Sequence, residues 1–192
     1  MLIGVLALQG DVREHENLLN DLGVQTRSVR RPGDLEELDG LILPGGESTA
    51  ISKLIDLFGL MKPLREFTAS KPVLGTCAGL ILLADEVEGR LEDQELVGGL
   101  NIKASRNAYG SQTDSFEAEV EYEGITEHVA FIRAPRILET RQTKVLATYR
   151  GEPVAVQQGN IMAAAYHPEI TGSHHLHGLF ISEIELRQQA VI

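Results

Sequence analysis

Short, almost continuous apolar runs alternate along the chain with longer segments in which apolar residues recur every third or fourth position. The first kind marks strands covered on both faces, as in a parallel sheet, and the second marks helices with one buried side. Residues 2–8 are apolar almost throughout and predict a strand. Asp11 then stands where a helix cap belongs, ahead of Val12, Leu18, Leu19 and Leu22 on one broad face, and Gly23 ends the helix. A second strand is predicted over 24–29, a turn at Arg30-Arg31-Pro32-Gly33, a short helix from Asp34 and a third strand over 40–43. The third strand runs into Pro44-Gly45-Gly46-Glu47-Ser48-Thr49, a glycine turn followed by hydroxyl residues that would cap a helix through Leu54, Ile55 and Leu57. A helical piece over 61–67 and a strand at Val73-Leu74 follow. Strands alternating with helices in this order predict an α/β fold with a doubly wound, mostly parallel central sheet.

Near Asp85 the texture changes. Residues 87–95 are polar and weakly patterned, which predicts a surface loop. Strand-like runs at 100–105, 115–122, 128–132, 144–149, 153–157 and 161–166 are joined by short turns and are expected to extend the sheet with mixed or antiparallel edge strands. A last helix over about 176–189 would bury Leu179, Phe180, Ile184 and Leu186. No repeat, low-complexity segment or linker interrupts the chain, and 192 residues against about 150 per domain predict one domain, 1–192.

Charge and cysteine content narrow the setting. One cysteine cannot form an internal disulfide, which suits a reducing compartment and leaves a free thiol. The N-terminus has no basic leader before Asp11, Arg13 and Glu14, and no apolar stretch approaches the roughly 18 residues a bilayer span needs. A cytoplasmic location is expected. A net charge of −11 without any block of Lys and Arg argues against nucleic acid and anionic membranes as partners.

The free thiol sits in Gly75-Thr76-Cys77-Ala78-Gly79, between the apolar run of the predicted strand and Leu80-Ile81-Leu82-Leu83-Ala84. This is the cysteine form of a nucleophile elbow, in which a strand turns sharply into a helix and lifts the nucleophile above the sheet edge. Gly75 is expected to let the backbone bend and Gly79 to let the helix pack closely on the strand. At a helix N-terminus the dipole favours a thiolate. Taken alone, the same five residues also suit a buried structural cysteine.

A second element lies ninety residues on, in His167-Pro168-Glu169. The residue before proline is pushed into an extended conformation, where alternate side chains share a side, so Glu169 is placed to orient the His167 imidazole. That is the base and orienter of a Cys-His-acid triad, in which histidine takes the thiol proton and later gives it to the leaving nitrogen. Alone, the triplet equally describes a strand end with a solvent-facing carboxylate; with the elbow it favours the triad. The oxyanion formed on attack needs preorganised donors, for which the Ala78 N–H and the Gly45-Gly46 turn are candidates. His174, His175 and His177 lack a second ligand group with metal spacing and are expected to be solvated near a helix start, while His15 and His128 receive no assignment.

The elbow, the Pro44-Gly45-Gly46 turn and His167-Pro168-Glu169, in this order, resemble the class I glutamine amidotransferases. Four stretches tighten the resemblance: residues 6–15 from Leu6-Ala7-Leu8-Gln9-Gly10 onward, Leu43-Pro44-Gly45-Gly46-Glu47-Ser48-Thr49, Asp114-Ser115-Phe116-Glu117-Ala118 and Phe131-Ile132-Arg133-Ala134-Pro135. Together they resemble the glutaminase subunits of pyridoxal 5'-phosphate synthases along nearly the whole chain. The resemblance implies a three-layer α/β sandwich and hydrolysis of L-glutamine to glutamate and ammonia through a thioester on Cys77, with His167 and Glu169 completing the triad. It implies glutamine binding by Gly46, Glu47, Ser48, Arg106, Ile132 and Arg133, and an oxyanion hole from the backbone of Gly46 and Ala78. Ammonia would pass to a barrel-shaped, ring-forming synthase subunit, with Gln9 near the docking region and docking organising the oxyanion hole; no cofactor or metal is implied. Within that set, an arginine is expected to face the substrate carboxylate and Glu47 its ammonium. Otherwise Arg106 and Arg133 would be surface ion pairs of little weight. Three rivals remain: a glutaminase feeding another synthase, a cysteine hydrolase or chaperone-like protein of the same broad fold, and a non-catalytic subunit that kept the fold. In one such hydrolase family histidine follows the elbow cysteine, where this chain has Ala78.

Overall fold

The most continuous apolar runs become the centre of the sheet in the computed structural model, which describes residues 1–106 and 115–190. Strands β1 (Leu2–Leu6), β2 (Gln25–Val29), β3 (Gly40–Leu43), β4 (Val73–Thr76) and β12 (Ile161–Ala164) lie parallel in the order β2-β1-β3-β4-β12. Every residue of β3, β4 and β12 is buried, as expected of strands covered on both faces. Antiparallel strands continue the sheet through β11 (Glu152–Gln158), β10 (Lys144–Tyr149), β7 (Ser115–Tyr122) and β8 (Ile125–Ile132), giving nine strands in all. The expected parallel centre continued by antiparallel edge strands is therefore observed, with four parallel and four antiparallel pairings across the sheet. Asp114, which opens one of the stretches that carry the resemblance, lies outside the described residues.

Strand alternation fixes which helices cover which face. A Cβ on Gly75 would come within 2.6 Å of the Gly79 backbone, so this face of β4 carries α4 (Ala78–Leu83). Thr76, next along the strand, points the other way, and its Oγ1 meets His15 of α1 (Val12–Asp21). Helix α6 (His175–Ala190) shares the α1 face, because His177 bonds His15 and Phe180 and Ile184 press on Gly40 of β3. Helices α2 (Ser48–Leu57) and α3 (Met61–Ser70) follow the glycine turn, and α5 (Pro168–Thr171) is one turn after β12. No helix among the described residues is long and apolar enough to cross a membrane.

Four expectations change. Residues 100–105 do form a strand, β6 (Leu100–Ser105), but it lies in a separate three-stranded sheet between β5 (Ala84–Glu88) and β9 (Arg136–Glu139). Its alternating burial is that of any one-faced strand, so periodicity could not name its partners. β5 is mostly exposed and polar, which hid it within the expected loop. Helix α2 is capped by the carboxylate of Glu47, which accepts the N–H groups of Thr49 at 3.1 Å and Ala50 at 2.7 Å, and not by a hydroxyl. On α6 the buried residues are Leu176, His177, Phe180 and Ile184, whereas Leu186 is 63% exposed.

Candidate active site

Cys77 occupies the hinge between β4 and α4 with φ 49° and ψ −102°, a left-handed conformation that a non-glycine residue adopts at a strain of about 1–3 kcal/mol. The turn is held by the Cys77 N–H, which donates to the Ala164 carbonyl of β12 at 2.8 Å. Backbone freedom is thus used at the cysteine itself, and the flanking glycines serve close packing. A Cβ on Gly79 would lie 2.0 Å from the Leu43 carbonyl oxygen of β3, and one on Gly75 would strike Gly79. The helix therefore sits on the sheet closely enough to aim its N-terminus into the cleft above the strand ends.

His167 follows β12 and is fixed by its N–H to the Ala130 carbonyl at 2.8 Å. Glu169 lies in the first turn of α5 rather than on an extended segment, yet its Oε1 still comes to 2.8 Å from His167 Nδ1. Asp11 adds a second carboxylate at 3.1 Å from the same nitrogen. Asp11 makes no side-chain cap for α1, as was expected of it; its side chain serves the imidazole instead. With Nδ1 thus occupied, Nε2 is buried and has no hydrogen-bond partner. Burial disfavours an imidazolium here, but the carboxylates of Asp11 and Glu169, which accept from Nδ1, and the nearby sulfur of Cys77 outweigh it and push the His167 pKa upward. Burial likewise pushes Glu169 up, opposed by its bond to His167. Asp11, His167 and Glu169 place ligand-type atoms within 4.8 Å of one another, but a cation there would have to displace the Nδ1 proton.

One cleft of ≈ 480 Å³ is lined by Cys77, His167, Ala78, Gly46, Glu47, Ser48, Arg106, Ile132, Arg133 and Gln9, which is every residue expected at the site except Glu169. Glu169 is buried behind His167. Gly46 has φ +152°, and the following peptide is held by Gln9, whose Oε1 accepts the Glu47 N–H at 2.9 Å. The Cys77 Sγ faces the Ile132 carbonyl at 3.8 Å, next to Arg133, which is exposed and has φ 46°. Arg106 is no isolated surface pair, since it bonds Glu47 at 3.2 Å with its side chain 17% exposed. Burial raises the Glu47 carboxyl, but the N–H groups of Ala50 and Thr49, then Arg106, hold it below the usual range. Much of its capacity is therefore spent on α2 and Arg106, leaving less for a substrate ammonium than expected.

Behind the cleft lies a group the sequence reading missed. His15 is completely buried, with Nδ1 at 2.9 Å from His177 Nε2 and Nε2 at 3.1 Å from Thr76 Oγ1 and 3.5 Å from Glu169 Oε1. His177, expected in solvent, is buried as fully as His15. The signal was present: His15 precedes Leu18, Leu19 and Leu22 at core spacing, and stands four residues from Asp11 on the same helical side. Burial lowers the pKa of both, that of His177 to about 3, so both are neutral.

Comparison with known proteins places this geometry in a family. The sequence pattern of the SNO glutamine amidotransferase family matches residues 5–186. A protein of Frankia alni named pyridoxal 5'-phosphate synthase subunit PdxT is 51% identical over 185 residues, covering 93% of this chain and 92% of that one. A Shouchella clausii protein of the same name is 49% identical, with 97% of each chain covered. A solved structure described as a glutamine amidotransferase superposes with TM-score 0.90 at 42% identity over 95% of this chain and 98% of its own. The structure of PurLQS from Thermotoga maritima shares the fold alone, with TM-score 0.62, 16% identity, and coverage of 88% and 87%. With a match along nearly its full length and relatives about half identical to it, this chain belongs to the SNO glutamine amidotransferase family.

Proposed function

We propose that this glutaminase uses Cys77 as nucleophile, His167 as acid and base and Glu169 as orienter, in one domain spanning 1–192. His167 Nε2 takes the thiol proton and Sγ attacks the side-chain amide carbon of L-glutamine. The resulting oxyanion lies within reach of the N–H groups of Ala78 and Gly46. Collapse breaks the C–N bond, and His167 returns its proton to the departing nitrogen, which leaves as ammonia. Water then adds to the γ-glutamyl thioester, its proton going to His167, and Cys77 is released as the thiol with L-glutamate.

What carries this reading is the imidazole: its Nδ1 is held by two carboxylates, while the unpartnered Nε2 shares a cleft with the chain's one cysteine. Gly46, Glu47, Ser48, Arg106, Ile132 and Arg133 hold the glutamine, and Arg106 or Arg133 meets its carboxylate. The relatives' names point to a pyridoxal 5'-phosphate synthase as the assembly served. Its synthase subunit, barrel-shaped and ring-forming by the resemblance, docks beside Gln9 and receives the ammonia directly. Direct passage matters because ammonia in water near neutrality is mostly protonated and has lost its nucleophilic lone pair. A single cysteine and the acidic surface suit action in the cytoplasm. In the assembled complex, Cys77→Ala is expected to abolish pyridoxal 5'-phosphate formation from glutamine and preserve formation from ammonium salts. Equal loss with both nitrogen sources would refute the assignment.

A further inference from the structure

We propose that His15 is a positioning residue for the glutaminase reaction: its Nε2–H, held in that tautomer by His177, keeps Glu169 as the carboxylate that orients His167. The inference rests on the triad assigned above and extends it by two buried histidines.

Glu169 is buried, and the two imidazoles that face its carboxylate both address one oxygen. Its Oε1 faces His167 Nδ1 at 2.8 Å and His15 Nε2 at 3.5 Å, whereas Oε2 is buried without a partner. A buried carboxylate with so few donors is readily neutralised, and a neutral Glu169 would no longer favour the imidazolium. His15 can act as a donor to it in only one tautomer. If Nε2 carries the proton, it faces Thr76 Oγ1 at 3.1 Å and the carboxylate, and Nδ1 accepts from His177 Nε2 at 2.9 Å. The buried, unpartnered His177 Nδ1 is then a bare lone pair. In the reverse arrangement, His15 would turn a lone pair toward a carboxylate, and His177 would bury an unsatisfied N–H, the rarer defect. Both rings are neutral because burial dominates, with His177, His167 and His174 adding like-charge opposition. The other titratable groups facing the set are Glu169, His167 and His174 and, beyond His167, Asp11 and Cys77. His15 also bonds Thr76, the residue before Cys77, so one imidazole braces both ends of the triad.

The test follows the pH profile of Cys77 alkylation by iodoacetamide, with steady-state kinetics, in the complex with the synthase subunit. His15→Leu is expected to move the acid limb of the alkylation profile upward by about one pH unit and to lower kcat roughly tenfold, with KM nearly unchanged. His15→Gln, which restores an N–H at that reach, is expected to recover most of both effects. On a Glu169→Gln background, His15→Leu should shift the profile no further. Nitrogen-15 spectra of the unaltered protein should show His15 neutral and protonated at Nε2; this decides the matter if His15→Leu does not fold. A ring protonated at Nδ1, or a folded His15→Leu protein with an unchanged profile, would overturn the proposal. If His167→Asn also leaves the alkylation profile unchanged, the triad itself fails; if only His15→Leu does, the triad stands without this brace.

Discussion

Mild acid should weaken the protein through the two buried histidines, and His177 gives a magnitude. Burial takes its pKa from 6.5 to about 3, so below pH 6.5 the unfolded chain binds a proton that the folded chain refuses. Stability is then lost as pH falls from 6.5 toward 3, at up to about 1.4 kcal/mol per pH unit for one proton. Between pH 7 and pH 5 the loss integrates to about 2 kcal/mol for His177, and His15, whose pKa burial also lowers, adds to it in the same direction. His167, whose pKa the neighbouring carboxylates raise, works oppositely and offsets part of this loss. A loss of about 2 kcal/mol from His177 alone is a large share of a typical domain stability of about 5–15 kcal/mol. Urea unfolding at pH 7 and pH 5 measures it directly. His177→Gln keeps a hydrogen-bonding amide facing His15 but does not titrate, so it should lose about 2 kcal/mol less than the unaltered protein over the same interval. If the variant and the unaltered protein lose equal stability, His177 is not a buried neutral group and the tautomer argument for His15 loses its support.

Other substitutions test the cleft. Gly79→Ala puts a methyl group 2.0 Å from the Leu43 carbonyl oxygen, and thermal unfolding should show a loss of about 3 kcal/mol or no folded protein. Asp11→Asn removes one of the two carboxylates that raise His167, so the alkaline limb of the kcat profile should move down by about one pH unit. Glu47→Ala uncaps α2 and frees Arg106; about 1 kcal/mol of stability should be lost in denaturant titration, with a rise in KM for glutamine. His167→Asn should cut kcat by about 10²–10⁴ and leave glutamine binding within a few-fold by calorimetry; a binding loss as large as the rate loss would make His167 structural.

The site was more legible in the sequence than the sheet that surrounds it. Gly75-Thr76-Cys77-Ala78-Gly79 carries its geometry locally, as a turn between strand and helix, and His167 does follow a strand, but Glu169, expected on an extended segment, lies in the first turn of α5 because Pro168 opens a helix there. Even there, the expected bend at Gly75 proved to lie at Cys77, because only packing distances separate a glycine needed for rotation from one needed for contact. The pairing of β6 with β5 and β9 was illegible, since strand partners are set by long-range contacts and β5 is too polar to show as a strand. His15 went unassigned, and His177 was expected in solvent, for a related reason. They stand 162 residues apart and acquire meaning only when α1 and α6 are laid on one face. Asp11 was misread because an acidic residue before a helix normally caps it, and nothing local distinguishes a cap from a side chain that turns toward a distant imidazole.

Capture of the acyl group is the most direct measurement. When the complex turns over glutamine in the presence of hydroxylamine, a γ-glutamyl group carried on sulfur should be intercepted as γ-glutamyl hydroxamate, with formation that depends on Cys77 and is lost in Cys77→Ala. Undiminished hydroxamate or ammonia from the Cys77→Ala complex would contradict the account.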